Sequence, residues 1–368
     1  MSKRIIIAGG GTGGHIFPAI AIANALKEID KEIDILFIGA KGKMEMEKVP
    51  QAGYKIQGLD IAGFDRSSLI KNIGLPLKLI RSFLQVRSIF KEFKPDAAIG
   101  VGGYSSYPVL RSAQAFRIPS FIHESNSFAG RSNIMLGKKA TKVFTGTDGM
   151  EKFFPKEKIM VTGNPVRASI VHSTIGPQEG KRYFSLDESK KTVLVVGGSL
   201  GAKSINEAIE KHLAELLNAG LQVIWQTGKG YYDAYKAQLG NYDVHRFRVQ
   251  DFVKEMDLAY AAADVVISRS GALSVSELCI TNKPSILVPS PNVAEDHQTK
   301  NAMALVEKDA AVMIADKDAK DKLVDEALKL LFDEQRAHKL SENITRLAKP
   351  NATEDIVNEI EKLIIHKK

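Results

Sequence analysis

The chain of 368 residues holds one cysteine, Cys279. A single thiol excludes an intramolecular disulfide and a cysteine metal cluster, and it fits a reducing compartment. The eight histidines form no HExxH or other close ligand pair, so no structural metal is expected. No apolar run reaches the ~18 residues that would span a bilayer. The start, MSKRIII, enters strand-forming residues with no charged-then-apolar leader, which points to the cytoplasm. RNA-binding aromatic motifs and helix-turn-helix signatures are also missing. The balance of 51 Lys+Arg over 43 Asp+Glu, a net +8, therefore points to phosphorylated substrates or anionic lipid before nucleic acid. With 44% hydrophobic and 26% charged residues the composition is that of a globular protein, and the length suits two domains.

Glycine is abundant and clustered. Residues 5–28 read as a buried strand (Ile5, Ile6, Ile7), a turn containing Gly9, Gly10, Gly11, Gly13 and Gly14, and an amphipathic helix with Ile16, Ile20, Ala23 and Leu26 on one stripe. A helix start beside a bare glycine turn offers N–H groups and a positive dipole end to phosphate. His15 lies where turn becomes helix. It is either a histidine in solvent or packed on the turn, or a functional group facing whatever the glycines approach.

Strand and helix signals then alternate. Strands are predicted at 33–39, 54–64, 97–103, 118–126, 142–146 and 158–167, with a polar helix near 42–50 and a second glycine turn at 102–106. Such βα repetition predicts a parallel, doubly wound sheet whose ligands sit beyond the carboxyl ends of its strands. Residues 172–191 lack clear periodicity and read as a connection. The opening is echoed at 192–213, TVLVVGGSLGAKSINEAIEKHL, and a second round follows through LQVIWQTG, HRFRVQDFV, ADVVISRSGALSVSEL and PSILVPSP. The expected fold class is α/β, with two Rossmann-like domains facing across a cleft. The expected domains are 1–168 and 169–349, with a C-terminal helix at about 350–368 folding back on the first.

Helix 72–93 has two apolar stripes. Leu75, Leu79, Phe83, Val86, Phe90 and Phe93 suffice to dock it on a sheet. A second stripe, Ile73, Leu77, Ile80 and Leu84, runs into Arg81, Arg87 and Lys91. The second stripe is either a broader core face or an exposed patch suited to an anionic membrane surface.

Gly9, Gly11 and Gly14 satisfy GxGxxG, a weak signal alone. A dinucleotide site also needs a carboxylate at the end of the second strand, and that strand ends Phe37-Ile38-Gly39-Ala40-Lys41. The second half does carry one in a third glycine-led turn, Ser270-Gly271-Ala272-Leu273-Ser274-Val275-Ser276-Glu277. A helix beginning near Gly271 would aim N–H groups at a diphosphate. Glu277, two turns in, would hold ribose hydroxyls or else be a solvated helix residue.

The motifs AGGGTGGHIFPAIAIA, VGGYSSYP, HESNSFAG, GNPVR, VVGGSLGA, SRSGALSVSEL and AEDHQTKNA, in this order, resemble those of the MurG family of N-acetylglucosaminyltransferases. The match runs from Ile5 to the C-terminal helix. Two departures are Ser125 and Leu200, which stand where the family commonly has glutamine. The resemblance implies the two-domain GT-B architecture. It implies inverting transfer of N-acetylglucosamine from UDP-GlcNAc to the 4-hydroxyl of the MurNAc of lipid I, giving lipid II at the cytoplasmic membrane face. It assigns donor binding to Ser199, Val253, Ala272, Leu273, Ser274, Glu277 and Gln298, completed by Thr12, Gly13, Gly14, Asn126 and Arg167. The acceptor pyrophosphate falls to the N-terminal glycine turns (Gly11, Gly102, Gly103, Tyr104, Ser105), and the membrane patch to Ile73, Leu77, Ile80 and Leu84.

The base that takes the acceptor proton would be His15, with Glu124 as the fallback, since a helix N-terminus disfavours the imidazolium. No cofactor and no metal is expected: the sequence has no DxD-like acidic pair in a glycine turn, and backbone N–H groups can stabilise a departing diphosphate. The rival readings are a UDP-N-acetylglucosamine 2-epimerase, an NAD oxidoreductase using Gly9–Gly14, and a non-enzymatic sugar-nucleotide or lipid-binding scaffold.

Overall fold

Three consecutive β-branched residues open the fold, and all three are fully enclosed: Ile5, Ile6 and Ile7 are 2%, 0% and 0% exposed. A strand with no polar face belongs in the middle of a sheet covered on both sides, and that is its place in this computed structural model. The structure describes residues 3–63, 72, 74–239 and 246–364. The chain forms two compact units, Met1–Arg167 with Pro350–Lys368, and Ala168–Lys349.

The first unit contains β1 (Arg4–Ala8), β2 (Asp34–Ala40), β3 (Lys55–Leu59), β4 (Ala97–Gly100), β5 (Ser120–Glu124), β6 (Lys142–Thr145) and β7 (Ile159–Val161) in the order β3-β2-β1-β4-β5-β6-β7. Every pairing is parallel; β1 lies between β2 and β4, with Ala8 opposite both Ile38 and Gly100. The order reverses at β1 and β4, so their carboxyl ends flank the switch point where open α/β sheets bind ligands.

Helices α1 (Gly13–Ile29), α2 (Glu45–Gln51), α3 (Leu75–Phe93), α4 (Ser106–Ala115) and α5 (Arg131–Gly137) connect these strands. The helix α1 buries Ile16, Ala19, Ile22, Ala23 and Leu26, a wider face than the single predicted stripe. The extra width meets the C-terminal helix Ala352–Ile364, whose Ile356, Val357, Ile360 and Ile364 share one core with it. Burying each such side chain contributes roughly 1.5–3 kcal/mol.

The second unit repeats the pattern with β8 (Thr192–Val196), β9 (Gln222–Gln226), β10 (Phe247–Gln250), β11 (Val265–Ser268), β12 (Ser285–Leu287) and β13 (Val312–Met313), ordered β10-β9-β8-β11-β12-β13 and parallel throughout. Its core includes the fully buried Trp225, whose indole N–H donates to Asn206 Oδ1 at 3.0 Å. Left unpaired, that donor would cost about 1–3 kcal/mol.

The segment read as a connection, 172–191, includes a helix, Pro177–Tyr183, packed on the helix Met256–Ala262. It docks through backbone rather than an apolar stripe. A Cβ on Gly180 would fall 2.6 Å from both Leu258 O and Ala262 N, so only glycine permits the approach and periodicity gave no sign of it.

Candidate active site

Two glycine turns interlock at the switch point of the first unit. Gly11 (φ +87°), Gly102 (φ +99°) and Gly103 (φ +88°) occupy backbone regions that favour glycine. A Cβ on Gly103 would sit 2.5 Å from Gly10 O, and one on Gly102 would sit 2.7 Å from His15 Nε2. Gly10 N donates to Gly102 O at 3.3 Å, and Ser106 Oγ lies 2.8 Å from both Ala8 O and Gly102 O. His15, half-buried in the first turn of α1, therefore has its imidazole edge against the second glycine turn. Its Nδ1 is 3.0 Å from Gly10 O and 3.5 Å from Thr12 Oγ1. A carbonyl oxygen only accepts, so the Gly10 contact requires the proton on Nδ1 and makes Nε2 the basic nitrogen of the neutral ring.

The first glycine turn is not bare. Glu45, at the start of α2 and 1% exposed, turns back on it. Its Oε2 accepts from Gly11 N at 2.7 Å and its Oε1 from Ala40 N at 2.9 Å. A carboxylate does follow the second strand, then, five residues after Ala40, but it points into the fold. Gly11, expected on the acceptor side of the site, has its N–H engaged by this internal carboxylate. Of the neighbouring acceptor-side residues, Ser105 is 1% exposed and Tyr104 is 53% exposed. Thr12 is the exposed N-cap of α1, followed by Gly13 and Gly14 in its first turn.

The neighbouring strand end is a packed polar cluster. Glu124 is 4% exposed; its Oε1 faces Asn126 N (3.1 Å) and Nδ2 (3.3 Å), and its Oε2 faces Gly130 N (3.0 Å) and Asn133 Nδ2 (2.8 Å). Four donors engage it and tie the loop 125–130 and Asn133 of α5 to the end of β5. His123 is fully buried, with Nε2 3.4 Å from Gly163 O and Nδ1 3.4 Å from Ser125 Oγ. Burial, with a smaller contribution from the nearby His15, lowers its pKa to about 4, outweighing the Gly163 hydrogen bond that raises it. Ser125 thus partners His123 where the family has glutamine. The Arg167 guanidinium lies 5.5 Å from the centroid of the Phe17 ring of α1.

In the second unit the turn after β8 carries Gly198 (φ +85°) and Gly201 (φ +79°), with Ser199 exposed between them and Leu200 78% exposed. Opposite, across this unit's own switch point, the helix Ala272–Ile280 begins after Gly271. Its first turn contains Ala272, Leu273 and Ser274, whose N–H groups precede the intrahelical ladder. Glu277 is 4% exposed and accepts from Tyr260 Oη at 3.0 Å, so it is not a solvated helix residue. Gln298 Oε1 accepts from Ser290 N at 2.8 Å, which fixes its amide plane.

Val253 N donates to Gln226 Oε1 at 2.9 Å, and Gln226 Nε2 donates to Gly198 O at 2.8 Å. Sequence reasoning missed Gln226, the last residue of β9, although a polar residue ending a buried strand at a switch point was available as a signal. Arg269 Nη1, similarly unremarked, bonds Val288 O at 3.0 Å and Asp316 Oδ1 at 2.5 Å and ties the end of β11 to its neighbours.

The patch on α3 divides as its two stripes suggest. Val86 and Phe90 are buried, and Leu75, Leu79, Phe83 and Phe93 are half-buried. Leu77, Ile80 and Leu84 are 64%, 58% and 63% exposed, with Lys78, Arg81, Arg87 and Lys91 exposed beside them. Ile73 lies outside the described residues. Among the described residues no helix is long and apolar enough to cross a membrane.

Comparison with known proteins agrees with this arrangement. Family profiles described as "Glycosyltransferase family 28 N-terminal domain" and "Glycosyltransferase family 28 C-terminal domain" match residues 5–145 and 192–360. A protein of Parabacteroides distasonis named UDP-N-acetylglucosamine–N-acetylmuramyl-(pentapeptide) pyrophosphoryl-undecaprenol N-acetylglucosamine transferase is 53% identical over 361 residues, covering 98% of each chain. One of the same name from Cytophaga hutchinsonii is 52% identical, covering 98% of this chain and 97% of its own. The crystal structure of Acinetobacter baumannii MurG superposes with a TM-score of 0.75 at 28% identity, covering 98% of this chain and 99% of that one. A Staphylococcus aureus MnaA–UDP structure, at 18% identity and TM-score 0.70, shares the fold. Two parallel Rossmann-like units, both family 28 domains and whole-length relatives at about half identity agree: the chain has the GT-B fold and belongs to the MurG family of glycosyltransferases.

Proposed function

We propose that the protein transfers N-acetylglucosamine from UDP-GlcNAc to the 4-hydroxyl of the MurNAc of undecaprenyl-pyrophosphoryl-MurNAc-peptide, with inversion at the anomeric carbon. The observation that carries the reading is His15, whose Nδ1 faces Gly10 O at 3.0 Å and whose Nε2 lies against Gly102, in a chain of this family. The acceptor oxygen attacks C1 of the donor sugar and the bond from C1 to the phosphate oxygen breaks. His15 Nε2 takes the hydroxyl proton, and UDP leaves with the electron pair. A neutral imidazole suits that step.

Donor binding is assigned to the second unit. The first-turn N–H groups of Ala272, Leu273 and Ser274, with the glycine turn around Ser199, supply donors for the diphosphate as negative charge develops on it. Glu277, held by Tyr260 Oη at 3.0 Å, is the acceptor for ribose hydroxyls. The backbone at Val253 meets the uracil, and the oriented amide of Gln298 meets the sugar. Thr12, Gly13, Gly14, Asn126 and Arg167 complete donor recognition from the first unit. On the acceptor side the pyrophosphate goes to Gly102, Gly103 and Tyr104. Glu124 is a holder of the 125–130 loop in this reading, with the base role left to His15.

The protein docks peripherally on the anionic cytoplasmic face of the membrane through Leu77, Ile80 and Leu84. Their exposure of 58–64% beside four cationic side chains supports this, since apolar burial and anionic-lipid attraction add. The test is transfer of labelled N-acetylglucosamine from UDP to a lipid-linked MurNAc-peptide. A labelled lipid-linked disaccharide is expected. UDP-ManNAc formed from donor alone, with no lipid product, would overturn the reading in favour of an epimerase.

A further inference from the structure

The carboxylate of Glu45 has no part in the transfer just described, yet it is buried beneath the residues that perform it. A Cβ on Gly10 would sit 2.2 Å from Glu45 Cδ, and one on Gly39 would sit 2.5 Å from Glu45 Cγ, so both glycines are cut back to admit this one side chain. Each of its oxygens takes a backbone N–H, Gly11 at 2.7 Å and Ala40 at 2.9 Å, so it joins the end of β2 to the glycine turn after β1. On the other side of the turn, Gly103 closes on Gly10 O, where a Cβ would come within 2.5 Å. The Gly10–Gly11 peptide is thereby clamped between an internal anion and the second glycine turn. Its carbonyl oxygen is the atom that faces His15 Nδ1 at 3.0 Å.

We propose that Glu45 is a positioning residue: by fixing the Gly10–Gly11 peptide it holds His15 in the Nδ1–H tautomer, so that Nε2 is the nitrogen able to accept the acceptor hydroxyl's proton. The orientation of an imidazole is set by the bond its other nitrogen makes, and a bond to a backbone carbonyl is only as well placed as the peptide that supplies it. The same carboxylate occupies the anion position of the first turn. A GxGxxG-like turn can thus serve here as a base holder rather than a phosphate cradle. This inference rests on the reading of His15 as the base.

The test combines Glu45→Gln with the wild-type protein, both labelled with ¹⁵N-histidine, the His15 signals being assigned from His15→Ala. Glutamine keeps the shape but presents an NH₂ group to one of the two backbone donors, which loosens the clamp. In the wild type the Nδ1–H form of His15 is expected to dominate. In Glu45→Gln the Nε2–H form should rise, and kcat should fall on the order of 10–100-fold with the KM for UDP-GlcNAc within about twofold. A wild-type protein with Nε2–H dominant overturns the proposal without recourse to the variant. So does a folded Glu45→Gln protein with unchanged tautomer and unchanged kcat. A kcat loss without a tautomer change would leave Glu45 a structural prop and also overturn it. Failure of the base reading is separately visible: His15→Ala would then turn over normally, whatever the tautomer in the wild type.

Discussion

The two units share the order of six strands, the first adding β7, and they differ at the corresponding turn. In each, a central strand ends in a glycine turn at the switch point, with a second strand beside it. In the first unit the segment after β2 sends back Glu45, a carboxylate that takes the N–H of Gly11. In the second unit β9 ends in Gln226, a neutral amide that bonds Gly198 O and Val253 N. The carboxylate takes a backbone donor of its turn, whereas the neutral amide braces its turn without adding negative charge. On the proposed reading, this difference would divide one fold, used twice, between base and nucleotide.

That division predicts different kinetic signatures for the two units. His15→Ala should lose on the order of 10²–10⁴-fold in turnover with UDP binding little changed, as measured by steady-state transfer and isothermal titration. Normal turnover in a folded His15→Ala protein would dissolve the contrast. Glu277→Ala should act on the other side, raising the donor KM by about 10–100-fold with kcat nearly kept, the cost of a hydrogen bond to a charged group. A defect confined to kcat would move Glu277 from binding to chemistry.

Acid should distinguish the units as well. His123 in the first unit is fully buried with a pKa lowered to about 4 from the ordinary 6.5, while the described histidines of the second unit are at least partly exposed. Because the unfolded chain takes up a proton below 6.5 that the folded site refuses until about 4, stability is complete above 6.5 and falls with pH across that window. At pH 5 the loss from this group is about 2 kcal/mol, roughly 30-fold in the folded ratio. Urea unfolding of His123→Gln at pH 7 and pH 5 should show a correspondingly smaller drop than the wild type. An identical drop would assign the acid sensitivity elsewhere.

The smallest expected effect lies on α3. Leu77→Glu or Leu84→Glu should weaken sedimentation with anionic vesicles by about tenfold each, with transfer to a detergent-dispersed acceptor unchanged. Equal binding by the charged variants would separate the exposed stripe from the membrane.

Much of the scaffold was legible along the chain. The run Ile5–Ile7, the glycine turns and the echo at 192–213 report local requirements, burial on two faces and backbone freedom, and such requirements are written in residue order. The helix Pro177–Tyr183 was not, because a glycine-to-backbone contact leaves no periodic trace. The two stripes of α3 were visible, but only packing of Phe83 against Tyr107 (ring centroids 6.2 Å apart) and burial of Val86 and Phe90 decide which one faces outward. Glu124 shows the same limit from the other direction. Its type and place suit a base, and the four donors around it come from the loop residues Asn126 and Gly130 and from Asn133 of α5, which the sequence does not show converging.

What the sequence determined by itself is a doubled α/β chain with glycine turns at strand ends, His15 at a helix start, and a motif order belonging to one family. What only the tertiary structure decided is which side chains brace each turn. The first looked bare because its second strand ends without a carboxylate, yet Glu45 reaches it from the next helix. A side chain's target depends on the distance between elements in space, and a parallel sheet brings the ends of β1 and β2 together across more than thirty residues of chain.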